Sequence, residues 1–263
     1  MIGIIGLGFV GKAMFKSFKL KEINVVGYDK YNESDSFESV LETDVIFLCL
    51  PTLFDEITHI YNKDAIHEVC KKLEGYGGIV VIKSTVEPET TNELSKLYKL
   101  RFVHNPEFLT ARTAFEDFHN QSHVVLGKGP NCNDLTLVRD LYSKHYPEAL
   151  ISECDSLESE SMKIYCNSFY ASKVMLFNEY YMLSQKNGSN FNTIKDLMLK
   201  NNWINEMHTT VPGPDGQFGY GGACFPKDTK ALNSYMKELE SPNSVLEAVI
   251  KGCEDIRCEN IRK

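Results

Sequence analysis

Residues 2–11 read IGIIGLGFVG. The three isoleucines at 2, 4 and 5 suit a strand buried on both faces, as in a parallel sheet. Gly6, Gly8 and Gly11 follow in a G-x-G-x-x-G arrangement, and a helical pattern starts at once. Strand, glycine turn and helix in that order predict a βαβ unit that binds a dinucleotide. Gly6 permits the tight turn, Gly8 lets a pyrophosphate approach the backbone, and Gly11 allows close helix–strand contact. Phe9 and Val10 open the helix, where free N–H groups and the dipole favour an anion. Asp29 ends the next strand and is placed to accept hydrogen bonds from ribose hydroxyls. That carboxylate would repel a 2′-phosphate, so NAD is expected over NADP, although Lys30 beside it leaves some room for NADP.

Outward from this unit, further apolar runs recur at 24–29, 44–51, 78–85, 101–108 and 122–127, most of them separated by helical patterns. Alternating strands and helices predict an α/β fold, an N-terminal Rossmann domain with a doubly wound parallel sheet. Beyond about 150 the character changes. Apolar positions fall at helical spacing over 156–187, one long central helix stopped near Gly188. Short helices follow, then a glycine-rich loop, then two final helices at 229–240 and from 244. The expected division is 1–150 for the NAD-binding domain and 151–263 for an all-helical domain.

The chain has 263 residues with 43% hydrophobic and 24% charged content, which places it among globular proteins of one or two domains. A net charge of −8 argues against nucleic acid or an anionic membrane as partner. No apolar run is long enough to cross a bilayer, and the N-terminus lacks the basic region of a signal peptide. The eight cysteines show no CxxC pair, so zinc and a disulfide framework are not expected and a reducing cytoplasm fits. His119 and His123 lack a third ligand partner, so no metal is expected. Cys253 and Cys258 do not align on the last helix and read as core or surface.

Residues 211–232, VPGPDGQFGYGGACFPKDTKAL, set Cys224 behind five glycines and ahead of Lys227 and Asp228. A thiol beside a cation is a candidate nucleophile, and a buried cysteine under a surface loop is the plainer alternative. Thr52 in LPT and Thr85 in KST sit at the carboxyl ends of strands, where open α/β sheets place ligands. Either threonine alone would also serve as a helix cap.

Taken together, GLGFVG, LPT, IKST, NPEFL, MKIYCNSFYASKVMLFNE and FGYGGACFPKDTKAL resemble the UDP-glucose/GDP-mannose dehydrogenase family. The resemblance implies NAD-dependent oxidation of a nucleotide-sugar primary alcohol to the carboxylate in two hydride transfers. It implies Cys224 as the nucleophile that captures the aldehyde, with Lys163 and Asn167 stabilising the oxyanion. Asp228 and Thr85 would hold the hydrolytic water, with Glu107 in the substrate and water network. Lys227 would lie near the cofactor and favour the thiolate. Phe108, Leu109, Gly213 and Gly221 would approach the sugar. It also implies a homodimer through the long central helix.

Three departures stand out. Relatives carry an arginine ahead of the cysteine that reaches the sugar of the neighbouring subunit, where this chain has Trp203. Relatives carry a glutamate two positions after PEFL, where this chain has Ala111. Relatives also continue into a further domain that binds the nucleotide, so a partner chain supplying it is one expectation. Two other readings compete: an NAD-binding module without turnover, and a cysteine-dependent dehydrogenase of a smaller hydroxylated substrate.

Overall fold

The computed structural model describes the backbone of residues 1–261 and the side chains of residues 1–257. It divides into two compact units, Met1–Leu53 with Tyr61–Lys163, and Phe54–Ile60 with Ile164 onward.

The apolar runs of the first unit become β1 (Ile2–Ile5), β2 (Val25–Tyr28), β3 (Val45–Leu48), β4 (Ile79–Ile82), β5 (Arg101–His104) and β6 (His123–Lys128), joined by β7 (Leu150–Asp155). They form one sheet in the order β2-β1-β3-β4-β5-β6-β7. All neighbours are parallel except β5 and β6, which run antiparallel through Val103↔Lys128 and His104↔Gly127. The sheet is therefore mostly parallel, with one reversal that the apolar runs do not encode.

Helices α1 (Phe9–Leu20), α2 (Phe37–Leu41), α3 (Asp64–Lys72), α4 (Thr90–Tyr98), α5 (Ala114–His119) and α6 (Thr136–His145) cover both faces. Alternation along a strand divides the core in two. In β3, Val45 and Phe47 pack with Phe18 of α1, Phe118 of α5 and Tyr142 of α6. Ile46 and Leu48 pack with Val40, Ile66 and Leu94 from α2, α3 and α4. Phe18 meets Phe47 and Phe118 edge-on at 5.9 and 5.7 Å between centroids. Each fully buried side chain of this size contributes roughly 2–3 kcal/mol.

Helix α7 (Ser156–Asn187) matches the long helix expected from the sequence. Its opening turns belong to the first unit, which extends to Lys163 beyond the expected boundary at 150. The physical reason is burial against the sheet. Strand β7 pairs with β6 over its whole length, Ser159 Oγ lies 2.8 Å from His104 Nδ1, and Glu160 accepts from the Thr91 amide at 2.7 Å.

The second unit holds the rest of α7 with α8 (Phe191–Leu199), α9 (Phe225–Glu238) and α10 (Ser244–Ile261). Ala171, Met175, Tyr220 and Cys253 form its small core with Val174, Phe225, Val249 and Ile256. The excursion 54–60 is tied here by Glu56, which pairs with Lys230 of α9 at 2.7 Å. Helix α9 begins at Phe225, earlier than the pattern at 229–240 suggests, because Pro226 fits a first helical turn. Along α7, Tyr165, Phe169, Leu176, Tyr180 and Leu183 form an exposed apolar stripe. Cys253 is buried, and the side chain of Cys258 lies outside the described residues.

Candidate active site

In the first unit the fingerprint glycines meet their expected constraints. Gly6 has φ +94°, and a Cβ on it would lie 2.4 Å from the Cys49 carbonyl oxygen. A Cβ on Gly11 would lie 1.9 Å from the Gly6 carbonyl oxygen, so helix and turn touch there. Around Gly8 the space is open, and as N-cap of α1 it gives the helix no side-chain cap. The backbone N–H groups from Phe9, Val10 and Gly11 thus face a place fit for an anion such as a pyrophosphate. This site lies at the ends of β1 and β3, where the strand order reverses.

Asp29 is fixed as a carboxylate. Its Oδ2 accepts from the Leu7 amide at 2.7 Å, and its Oδ1 accepts from the Tyr31 amide at 2.9 Å and from Asn32. Burial opposes the charge, but these bonds together hold the acid below the ordinary aspartate range. Lys30 pairs with Glu68 at 2.9 Å at the surface, with both side chains about half exposed.

The LPT and KST ends are stitched together. Thr52 Oγ1 donates to the Thr85 carbonyl at 2.7 Å, and both threonines are buried. Ser84, which the sequence reading passed over, accepts from the Leu50 amide at 2.9 Å and donates to the Leu50 carbonyl at 2.7 Å.

After β5, Glu107 is buried and meets Lys163 twice. The ammonium donates to the Glu107 carbonyl at 2.5 Å and pairs with Oε1 at 3.1 Å. Oε2 accepts from the Leu109 amide at 2.5 Å. Phe108 is exposed, stacked on His123, with Lys163 Nζ 5.4 Å from its ring centroid. Ala111 is exposed two residues further on.

In the second unit Cys224 is the N-cap of α9, and the Asp228 amide donates to its carbonyl at 2.9 Å. Asp228 is fully buried. Its Oδ2 accepts from Asn167 Nδ2 at 2.5 Å and its Oδ1 from Lys227 at 2.6 Å. Lys227, expected beside a cofactor, is thus engaged with the neighbouring carboxylate. Lys163 and Asn167, one turn apart on α7, have separate partners, Glu107 and Asp228.

The glycine loop is packed from within its own unit. Gly219 has φ +72°, its amide donates to Asn178 Oδ1 at 3.0 Å, and a Cβ would lie 2.9 Å from Cys253 Sγ. A Cβ on Gly221 would meet Arg257 at 2.4 Å. Gly213 closes a turn by donating to the Gln217 carbonyl at 2.9 Å. Among the described residues no group of three His, Cys, Asp or Glu could hold a metal ion.

Two family models match the chain. The NAD binding domain of the UDP-glucose/GDP-mannose dehydrogenase family matches residues 30–146, and the central domain of that family matches 157–253. The chain belongs to the UDP-glucose/GDP-mannose dehydrogenase family. The UDP-glucose 6-dehydrogenase of Rickettsia typhi is 30% identical over 92% of this chain and 54% of that protein. The chain spans about half the length of the curated relatives it matches. Among solved structures, a UDP-glucose dehydrogenase from Pyrobaculum islandicum superposes with TM-score 0.84 at 23% identity, over 96% of this chain and 67% of that one. A 3-hydroxyisobutyrate dehydrogenase from Mycobacterium tuberculosis has TM-score 0.74 at 17% identity, over 95% and 91% of the two chains. These likenesses establish the fold, and family membership rests on the two domain models. The family's second domain model covers Cys224, Asp228, Asn167 and Lys163, and its first covers Glu107 and Thr85.

Proposed function

We propose that this chain oxidises a nucleotide-sugar primary alcohol to the carboxylate with NAD, through covalent intermediates on Cys224. The observation that carries the reading is the buried Asp228, held by Asn167 and Lys227 one helical turn after the cysteine. A buried carboxylate fixed on both oxygens suits a group that must orient water, not merely fill space.

NAD, when bound, would supply the hydride acceptor, a fresh molecule for each of the two oxidations; Gly6, Gly8, Phe9, Val10, Gly11, Asp29, Thr52 and Thr85 would hold it. The first oxidation takes the alcohol to the aldehyde. Cys224 Sγ, as thiolate, then adds to the aldehyde carbon and forms a thiohemiacetal. Its position at the start of α9 favours an anion there. Lys163 and Asn167 donate to the oxygen as charge develops on it. Loss of the second hydride gives the thioester. Water adds to that carbonyl, the C–S bond breaks, and carboxylate and thiolate are released. Asp228, Thr85 and Glu107 orient the water and take up its proton.

The apolar stripe of α7 supports a homodimer through this helix, since monomers rarely leave so many large side chains aligned in water. Among the described residues no helix is long and apolar enough to cross a membrane. The eight cysteines without a CxxC pair support a reducing cytoplasm as the place of action.

The test is NADH formation with purified protein and a panel of UDP- and GDP-sugars. Two NADH per sugar on one substrate is the expected result. Silence across the panel, with NAD binding intact by calorimetry, would overturn self-sufficient turnover and favour a module that needs a partner chain. Replacing Cys224 with Ser is expected to abolish the second oxidation and leave NAD affinity unchanged.

A further inference from the structure

Lys83, the first residue of the KST motif, directly follows β4 and is 2% exposed. Its ammonium donates to Asn105 Oδ1 at 3.0 Å and to the Pro106 carbonyl at 2.9 Å. Neither acceptor is a carboxylate, and among the described residues no ion pair involves Lys83. A buried ammonium satisfied by neutral oxygens is costly, and a well-packed apolar side chain of similar length would commonly be at least as stable. Packing alone therefore does not account for a lysine at this position.

The two acceptors say what it holds. Asn105 and Pro106 immediately precede Glu107, whose carbonyl and carboxylate are held by Lys163. Asn105 is fixed further by Tyr142, which donates to the same Oδ1 at 2.6 Å, and by its own Nδ2, which donates to the Val125 carbonyl at 2.8 Å. Two ammonium groups thus grip three consecutive residues, Lys83 on the first two and Lys163 on the third. We propose that Lys83 is a positioning residue for the proposed reaction: it fixes the Asn105–Pro106 backbone so that Glu107 and Lys163 are presented as one preset pair. This rests on the functional reading given above. Burial, the largest influence, pushes the Lys83 amine down to about 8, with the Lys163 cation acting in the same direction and Cys49 and Glu107 against it. Perturbed amines of this kind concentrate at functional sites.

The experiment is Lys83→Met, a neutral chain of similar length. Expected are a fall in kcat of roughly 10- to 100-fold, as for small misplacements of a reacting group, and an NAD affinity by calorimetry that is unchanged. In the Lys83→Met/Glu107→Gln double variant, kcat is expected to fall no further than in Glu107→Gln alone, because the two act through one unit. Unchanged kcat in Lys83→Met, or fully multiplicative losses, would overturn the proposal. Hydrogen exchange gives a readout independent of turnover. The Leu109 amide, which donates to Glu107, is expected to exchange faster in Lys83→Met while amides of α1 do not change. Equal protection at Leu109 would overturn the positioning role even if the wild-type chain proved inactive on nucleotide sugars; inactivity itself would count against the functional reading. Should Lys83→Met not fold, Lys83→Gln keeps a neutral NH₂ donor group and is expected to give the same changes at smaller amplitude.

Discussion

Residues 105–109 and residues 213–222 both carry proposed site residues, and they are held by different means. The first segment is buried from Asn105 to Glu107 and is bonded by two lysines, a tyrosine and its own asparagine amide. The second is held by Asn178 on the Gly219 amide, Cys253 Sγ on the Tyr220 carbonyl at 3.3 Å, and Arg257 on Asp215 at 2.9 Å. The Arg257–Asp215 side chains are 30% and 45% exposed, so water screens that tie. Buried charge makes the first segment stiff at the cost of desolvation. Glycine packing and half-exposed ties leave the second cheaper to open locally.

The largest effect is expected from Lys163→Ala. It strands the Glu107 carboxylate without its cation in a buried place, which costs about 3–5 kcal/mol. Chemical denaturation measures it, and a loss below about 1 kcal/mol would break the contrast with the glycine loop. Gly219→Ala comes next. A side chain at φ +72° facing Cys253 Sγ should cost about 1–3 kcal/mol in thermal melts.

Titration sharpens the comparison from another side. Burial, the dominant influence, raises Glu160 of the first unit from 4.5 to about 7, against the lowering effect of its Thr91 bonds. A carboxyl whose pKa is higher folded than unfolded binds its proton more tightly when folded. Its contribution is full below 4.5 and is lost as pH rises towards 7. The Tm of Glu160→Gln relative to wild type is therefore expected to climb as pH is raised through that window. A flat difference would sink this assignment. The smallest effect belongs to Arg257→Ala, about 0–1 kcal/mol in global stability, with faster hydrogen exchange confined to 213–219.

Much of this was legible in the sequence. Continuous apolar runs gave away β1 to β6, and the helical spacing from 156 to 187 marked α7. Strand β7 escaped because it is an edge strand: Leu150, Ser152, Glu153 and Asp155 leave no apolar run to read. The reversal of β6 escaped because parallel and antiparallel neighbours inside a covered sheet bury the same residues. Cys224 was legible as a loop cysteine, but its place at the start of α9 depended on reading Pro226 as a helix opener. Lys83 and Asn178 were invisible for a simpler reason. A lysine at a strand end and an asparagine in a helix look solvated until the fold buries them.

The excursion 54–60 sets an order on synthesis. Glu56 leaves the ribosome long before Lys230, its partner 174 positions later. Until α9 emerges, Glu56 has no Lys230 to pair with, and the excursion lacks the ionic tie that joins it to its own unit. The excursion is thus made early and tied late: its partner residue comes from nearly the far end of the sequence, a non-local pairing that must wait for most of the chain.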